Sequence, residues 1–199
     1  MEQENMHSQD RIYLQNIHSV KGGDMADNLL ADALKNSLEM EEKGYNFYKQ
    51  AGRKSKNEIT KKAFLFLAEQ ETTHIENIKN FYNALEQGNM LPAIDTDELM
   101  KNKSGFPDIF SKNINELTEK IKPDDNEQNA CKFAMDLEKT GYDYYKNMRS
   151  NAKNENLIKL LDFLLEEENG HYELIMKLNE YITDSSNWFM YEENSFPQG

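Results

Sequence analysis

With 199 residues, a net charge of −13 and a sequence pI near 4.8, the chain is long enough for one sizeable core and poorly suited to nucleic acid or anionic membrane, whose recognition rests on clustered Lys and Arg. Its one cysteine, Cys131, excludes an internal disulfide and any Cys-x-x-Cys metal or redox centre, which fits a reducing cytoplasm. No stretch approaches the roughly 20 apolar residues of a membrane span, and the N-terminus lacks the apolar run of a signal peptide, so a cytoplasmic protein is expected.

Residues 1–24 are polar and lack helical periodicity, which predicts a disordered leader. Lys21-Gly-Gly-Asp24 can be encoded by a purine-rich stretch resembling a bacterial ribosome-binding site, so Met25 is expected to be the native start. A folded unit is expected over 25–184, with four long segments of helical periodicity and no strand signals. The first runs from about Asp27 to Lys54, with Leu30, Leu34, Leu38, Tyr45 and Tyr48 on one stripe. The second begins near Asn57, a suitable N-cap, carries Phe64, Leu67, Ala68, Ile75, Ile78, Tyr82 and Leu85, and stops at Gly88. Only a short turn joins these two, so they lie antiparallel.

The connection from about Asn89 to Asp125 is too long for a turn, and within it Phe110, Ile114, Leu117 and Ile121 predict a short crossing helix. The third segment follows Pro123-Asp-Asp125 and carries Cys131, Ala134, Met135, Tyr142 and Tyr145. The fourth starts near Asn154 and carries Leu157, Leu161, Leu164, Leu165, Tyr172, Ile175, Leu178 and Ile182. In the tail, 185–199, Trp188, Phe189, Tyr191 and Phe196 are expected to pack on the bundle or on a second subunit. The expected fold is all-α: a four-helix bundle of two duplicated helix hairpins joined by a long crossover.

The duplication is legible in one pattern that occurs twice. Glu41 is followed thirty residues later by Glu71-x-x-His74, and 97 positions further on Glu138 is followed by Glu168-x-x-His171. Gly44, Tyr45 and Tyr48 match Gly141, Tyr142 and Tyr145 at the same offset, and a repeat of this kind outranks any single motif. All four glutamates fall on apolar stripes. Buried carboxylates are costly unless paired or coordinated, so four of them facing one another require cations. Each His lies three residues beyond its Glu and points to the same place in the interior. Two divalent metals would balance the four charges, with one imidazole for each and positions left open for an exogenous ligand. Fe, Mn and Zn all accept such donors. A single Glu-x-x-His is weak evidence, but both histidines of the region expected to fold are used in this way. Tyr45, Tyr48, Tyr142 and Tyr145 are core residues or donors to the ligand carboxylates.

From Ala26 to about Asp184 the chain resembles the ferritin-like di-iron superfamily, nearest to the rubrerythrin group, whose repeats carry Glu-x-x-Ala/Gly-x-x-Phe/Tyr-Tyr and Glu-x-x-His. The resemblance implies two irons, with Glu71 and Glu168 bridging, Glu41 and His74 terminal on one, and Glu138 and His171 terminal on the other. It implies a di-iron oxidoreductase acting on peroxide or dioxygen; alternatives are a ferroxidase or iron-handling protein and a metal-dependent scaffold or sensor. Two departures stand out. There is no rubredoxin domain with paired Cys-x-x-Cys, so electrons would come from a separate rubredoxin-like protein. The extra ligand Glu of rubrerythrins is replaced by Gly141, leaving six ligands like the symmetric bacterioferritin set. A homodimer is expected.

Overall fold

The computed structural model describes residues 22–95 and 125–184. The expected crossing helix at 110–121, the aromatic tail and residues 1–21 of the leader lie outside the described residues. Among the described residues there are four helices, α1 (Gly22–Lys54), α2 (Glu58–Glu86), α3 (Asp125–Asn151) and α4 (Glu155–Thr183), and no strand. The first helix begins at Gly22, inside the segment read as a leader.

Sequence punctuation sets three of the helix ends. Asn57 and Asn154 have extended backbones, and their side chains accept from the amides of Ile59 and Thr60 and of Asn156 and Leu157, satisfying helix-start donors that lack partners within the helix. The caps are 97 positions apart, so the duplication includes the turns. Gly88 ends the second helix at φ 65°, a left-handed conformation that glycine adopts at little cost.

Burial follows a narrower seam than a 3.6-residue stripe. Leu34, Ser37, Glu41, Gly44 and Tyr48 are buried along α1, and Cys131, Ala134, Glu138, Gly141 and Tyr145 hold the same positions along α3. This spacing of three and four is that of helices packed nearly parallel to their neighbours. It corrects several assignments to the core. Tyr45, Tyr142, Ile75, Tyr82, Leu165 and Met135 lie on the flank, partly exposed, and Tyr172 is exposed, while Phe81 and Leu174 take core places.

Contacts fix the helix directions. Glu127, near the start of α3, accepts from the amides of Lys56 and Asn57 at the α1–α2 turn (2.7 and 3.1 Å), and Tyr144, late in α3, donates to the Ala33 carbonyl early in α1. The Asn156 amide, near the start of α4, donates to the Leu91 carbonyl beyond the end of α2. So α1 is antiparallel to α3 and α2 to α4, and the end of α2 and the start of α3 lie at opposite ends of the bundle. That is the crossover topology of a ferritin-like bundle. Two apolar clusters fill the ends. One, around Phe64, Leu67, Leu174 and Leu178, lies toward the α1–α2 turn, and the other, around Leu34, Phe81, Leu160 and Leu164, toward the α3–α4 turn. No described helix is long and apolar enough to cross a membrane.

Candidate metal centre

Between the two apolar clusters lies a slab of polar side chains. Glu41, Glu71, Glu138, Glu168, His74 and His171 are all at most 4% exposed. Each helix contributes from mid-length on its buried seam, which is why six polar groups converge at one level. His74 Nδ1 lies 3.2 Å from Glu41 Oε2, 3.3 Å from Glu71 Oε2 and 3.8 Å from Glu168 Oε1. His171 Nδ1 lies 3.5 Å from Glu71 Oε1 and 3.6 Å from Glu138 Oε2. The two rings are stacked with centroids 5.3 Å apart. All six residues expected at the site are brought together.

Two triads offer one donor atom each within the reach of a single ion: Glu41, Glu71 and His74, and Glu71, Glu138 and His171. Glu71 belongs to both. Glu168 belongs to neither, but its carboxylate approaches His74 from the facing hairpin. A third grouping joins His74 and His171 to Glu167, which lies in a run of three glutamates and is only 7% exposed. Its position four residues before His171, on the same helical face, was the signal for it.

The tyrosines divide by register. Tyr48 donates to Glu138 Oε1, and Tyr145 donates to Glu41 Oε1. Each ties one repeat to the glutamate of the other. Tyr45 and Tyr142 do not take part: the Tyr45 hydroxyl accepts from Lys49 at 2.6 Å, and the Tyr142 ring sits beneath the Lys146 ammonium. Seven residues bring a side chain almost back to the bearing of its glutamate, whereas four leave it about 40° off.

Burial of so much charge displaces proton affinities. Glu41 is pushed up to about 8, first by burial and then by the neighbouring Glu71 carboxylate, and Glu168 rises well above its ordinary range by burial, Glu138 and Glu41. Burial also acts to raise Glu71, but polar contacts with Glu41, His171 and His74 outweigh it and hold it well below the ordinary range. Burial acts to lower both histidines. Glu41 and Glu71 overcome this for His74, which lies well above its usual value, and Glu138 and Glu71 do so for His171, at about 9. Burial, followed by the carboxylates they face, raises Tyr48 and Tyr145 well above 10. The slab thus holds protons that cations would displace.

The donor set fits metal ions. Glu71 Oε2, Glu138 Oε2, His74 Nε2 and both ring nitrogens of His171 are buried with no hydrogen-bond partner, an arrangement costly in an apolar interior unless something else binds there. Carboxylate oxygen with imidazole nitrogen suits divalent first-row metals. Cys131 is no candidate, because burial, with a smaller contribution from Glu127, pushes its thiol up to about 12.

A family model described as rubrerythrin matches residues 32–179. A solved structure, a hypothetical protein from Pyrococcus furiosus, shares 20% identity with a TM-score of 0.59, over 80% of this chain and 94% of that one, which is a likeness of fold. No curated protein matches the chain.

Proposed function

The chain belongs to the rubrerythrin family, and from that premise we propose that it is a di-iron oxidoreductase that reduces peroxide or dioxygen. The observation that carries this reading is Glu71, shared by two donor triads, as a carboxylate bridging two metals would be. In this reading Glu71 and Glu168 would be shared between two metals, with Glu41 and His74 holding one and Glu138 and His171 the other. Iron would supply one-electron redox chemistry and coordination positions open to an oxygen ligand.

The chain supplies the rest. Tyr48 and Tyr145 hold one oxygen each of Glu138 and Glu41, which fixes the remaining oxygen for a metal. The two apolar clusters keep water from either end of the slab. Electrons come from a separate rubredoxin-like donor, and the working unit is a homodimer. Gly141, where rubrerythrins carry a further ligand, favours a second reading, a ferroxidase handling iron with a symmetric six-residue set. Peroxide-driven oxidation of the ferrous protein in stopped flow, faster than that of free iron, supports the first reading. A shell of many subunits by light scattering would overturn it in favour of storage.

Metal analysis tests the site itself. Protein purified from its source without added metal should hold about two irons per chain, and Glu71→Ala should lose most of both. Unchanged metal content in that variant would break the assignment.

A further inference from the structure

The two halves of the centre match in ligand type but not in their surroundings. A Cβ on Gly141 would lie 2.7 Å from Glu168 Oε2 and 3.0 Å from its carboxyl carbon, whereas a Cβ on Gly44 would meet the Glu71 carboxyl carbon at 3.6 Å. The Glu168 carboxylate therefore occupies space against α3 that any side chain at 141 would take. The same carboxylate lines a cavity of about 220 Å³ between α3 and α4, together with Glu138, Tyr142, Tyr172, Lys139 and Asn169. Glu138 and Glu168 are its buried floor, and Lys139, Asn169 and Tyr172 are exposed at its rim. Glu138 is 1% exposed, and its Oε2 has no hydrogen-bond partner, so a buried acceptor stands unsatisfied at the cavity floor.

We propose that this opening is the port through which a small ligand, of the size and donor chemistry of a peroxide, reaches the centre, arriving at the half held by Glu138 and Glu168. The inference rests on the two-metal reading above. A water's share of liquid volume is about 30 Å³, so the cavity has room for a peroxide with several waters. Charge at the rim agrees. Lys139 is paired with Asp143 at 2.6 Å, while the matching positions of the first repeat are Glu42 and Asn46. The second half thus presents a neutral rim where the first presents an acidic one, so in a chain of net charge −13 an anionic probe such as azide meets less repulsion there, while a neutral peroxide enters by size.

The experiment uses the full chain loaded with ferric iron, with azide as the probe and its charge-transfer band followed in stopped flow. Metal analysis of each protein comes first. Asn169→Trp, which crowds the rim, should slow azide binding about tenfold or more, whereas Thr72→Trp, the matching change on the first hairpin, should leave the rate unchanged. Tyr172→Ala should speed binding, and this arm decides if the tryptophan variant loads poorly. Equal rates in wild type, Asn169→Trp and Tyr172→Ala, or equal slowing by Thr72→Trp, would overturn the port while leaving the metal assignment intact. A wild-type protein that does not hold iron would instead overturn the reading on which the port rests.

Discussion

Tyr48 and Tyr145 are fully buried, and their hydroxyls reach carboxylates rather than carbonyls, so each bond involves a group charged when ionised. With the carboxylate ionised, such hydrogen bonds contribute about 1.5–3 kcal/mol each, which for Glu41 requires a bound cation or a pH above about 8. Tyr48→Phe and Tyr145→Phe should each lower stability by about that amount in denaturant titration while the helix signal in circular dichroism stays intact. A loss below a few tenths of a kcal/mol would mean that water or a rearranged carboxylate replaces the hydroxyl. The six candidate ligands were legible in the sequence because a glutamate on an apolar stripe is anomalous and a repeated anomaly is informative. The reach of the tyrosines was not, because a stripe drawn at 3.6 residues is too broad to separate a residue four places on from one seven places on. Glu167 was obscured for the opposite reason: a run of three glutamates reads as a solvated face until the seam narrows.

At the scale of elements, the hairpin turns carry the clearest local code. Asn57→Ala and Asn154→Ala should each cost about 1 kcal/mol in denaturant titration. The Asn57 change should cost more, because Asn57 is buried whereas Asn154 is exposed, and water can reach freed amides only at an exposed cap. Equal costs would mean that water reaches the first turn as well. The hairpins also differ beyond their caps. In the first, Gly52 lets Leu65 approach so closely that a Cβ would lie 2.8 Å from Leu65 Cγ. At the matching positions of the second, Arg149 and Asp162 form an ion pair at 2.6 Å. One hairpin is joined there by apolar contact and the other by charge at the surface. The ends at Asn57, Gly88 and Asn154 were legible because each has a residue whose chemistry stops or starts a helix. The start of α1 was not, because Gly22 and Gly23 are poor helix formers and nothing in the local sequence marks the turn that forms there.

For the whole molecule, the polar slab makes stability depend on what it holds. Glu41 titrates at about 8 when folded against an ordinary 4.5, and His171 at about 9 against 6.5. A group whose pKa is raised on folding contributes stability that is fully present below its ordinary pKa and is lost as pH rises through its folded one. Glu71, held below its ordinary range, contributes the opposite slope, confined to more acidic pH. The metal-free protein should therefore lose melting temperature as pH rises from mildly acidic toward 9, and at neutral pH it should melt below the metal-loaded form. Equal melting curves with and without metal would contradict the second expectation, and a metal-free melting temperature that stays flat from mildly acidic pH to 9 would contradict the first. Overall topology was legible from four periodic segments and one long connection, since a short turn forces an antiparallel pair and a long connection permits a traverse. The pairing of α1 with α3 was not, because it rests on contacts such as Glu127 with the α1–α2 turn, which no periodicity announces.

The crossed tyrosine bonds bear on how such a chain could arise. A single hairpin with Tyr48 and Glu41 but no second copy would bury a carboxylate without its donor. Paired with an identical hairpin across a twofold axis, it would make both bonds at once. The arrangement is therefore one that two separate copies could have reached before their genes were joined. After fusion, the same reciprocity constrains divergence, because loss of a tyrosine in one half strands the glutamate of the other. Gly52 and Leu65, facing no such constraint, stand where the second half has Arg149 and Asp162.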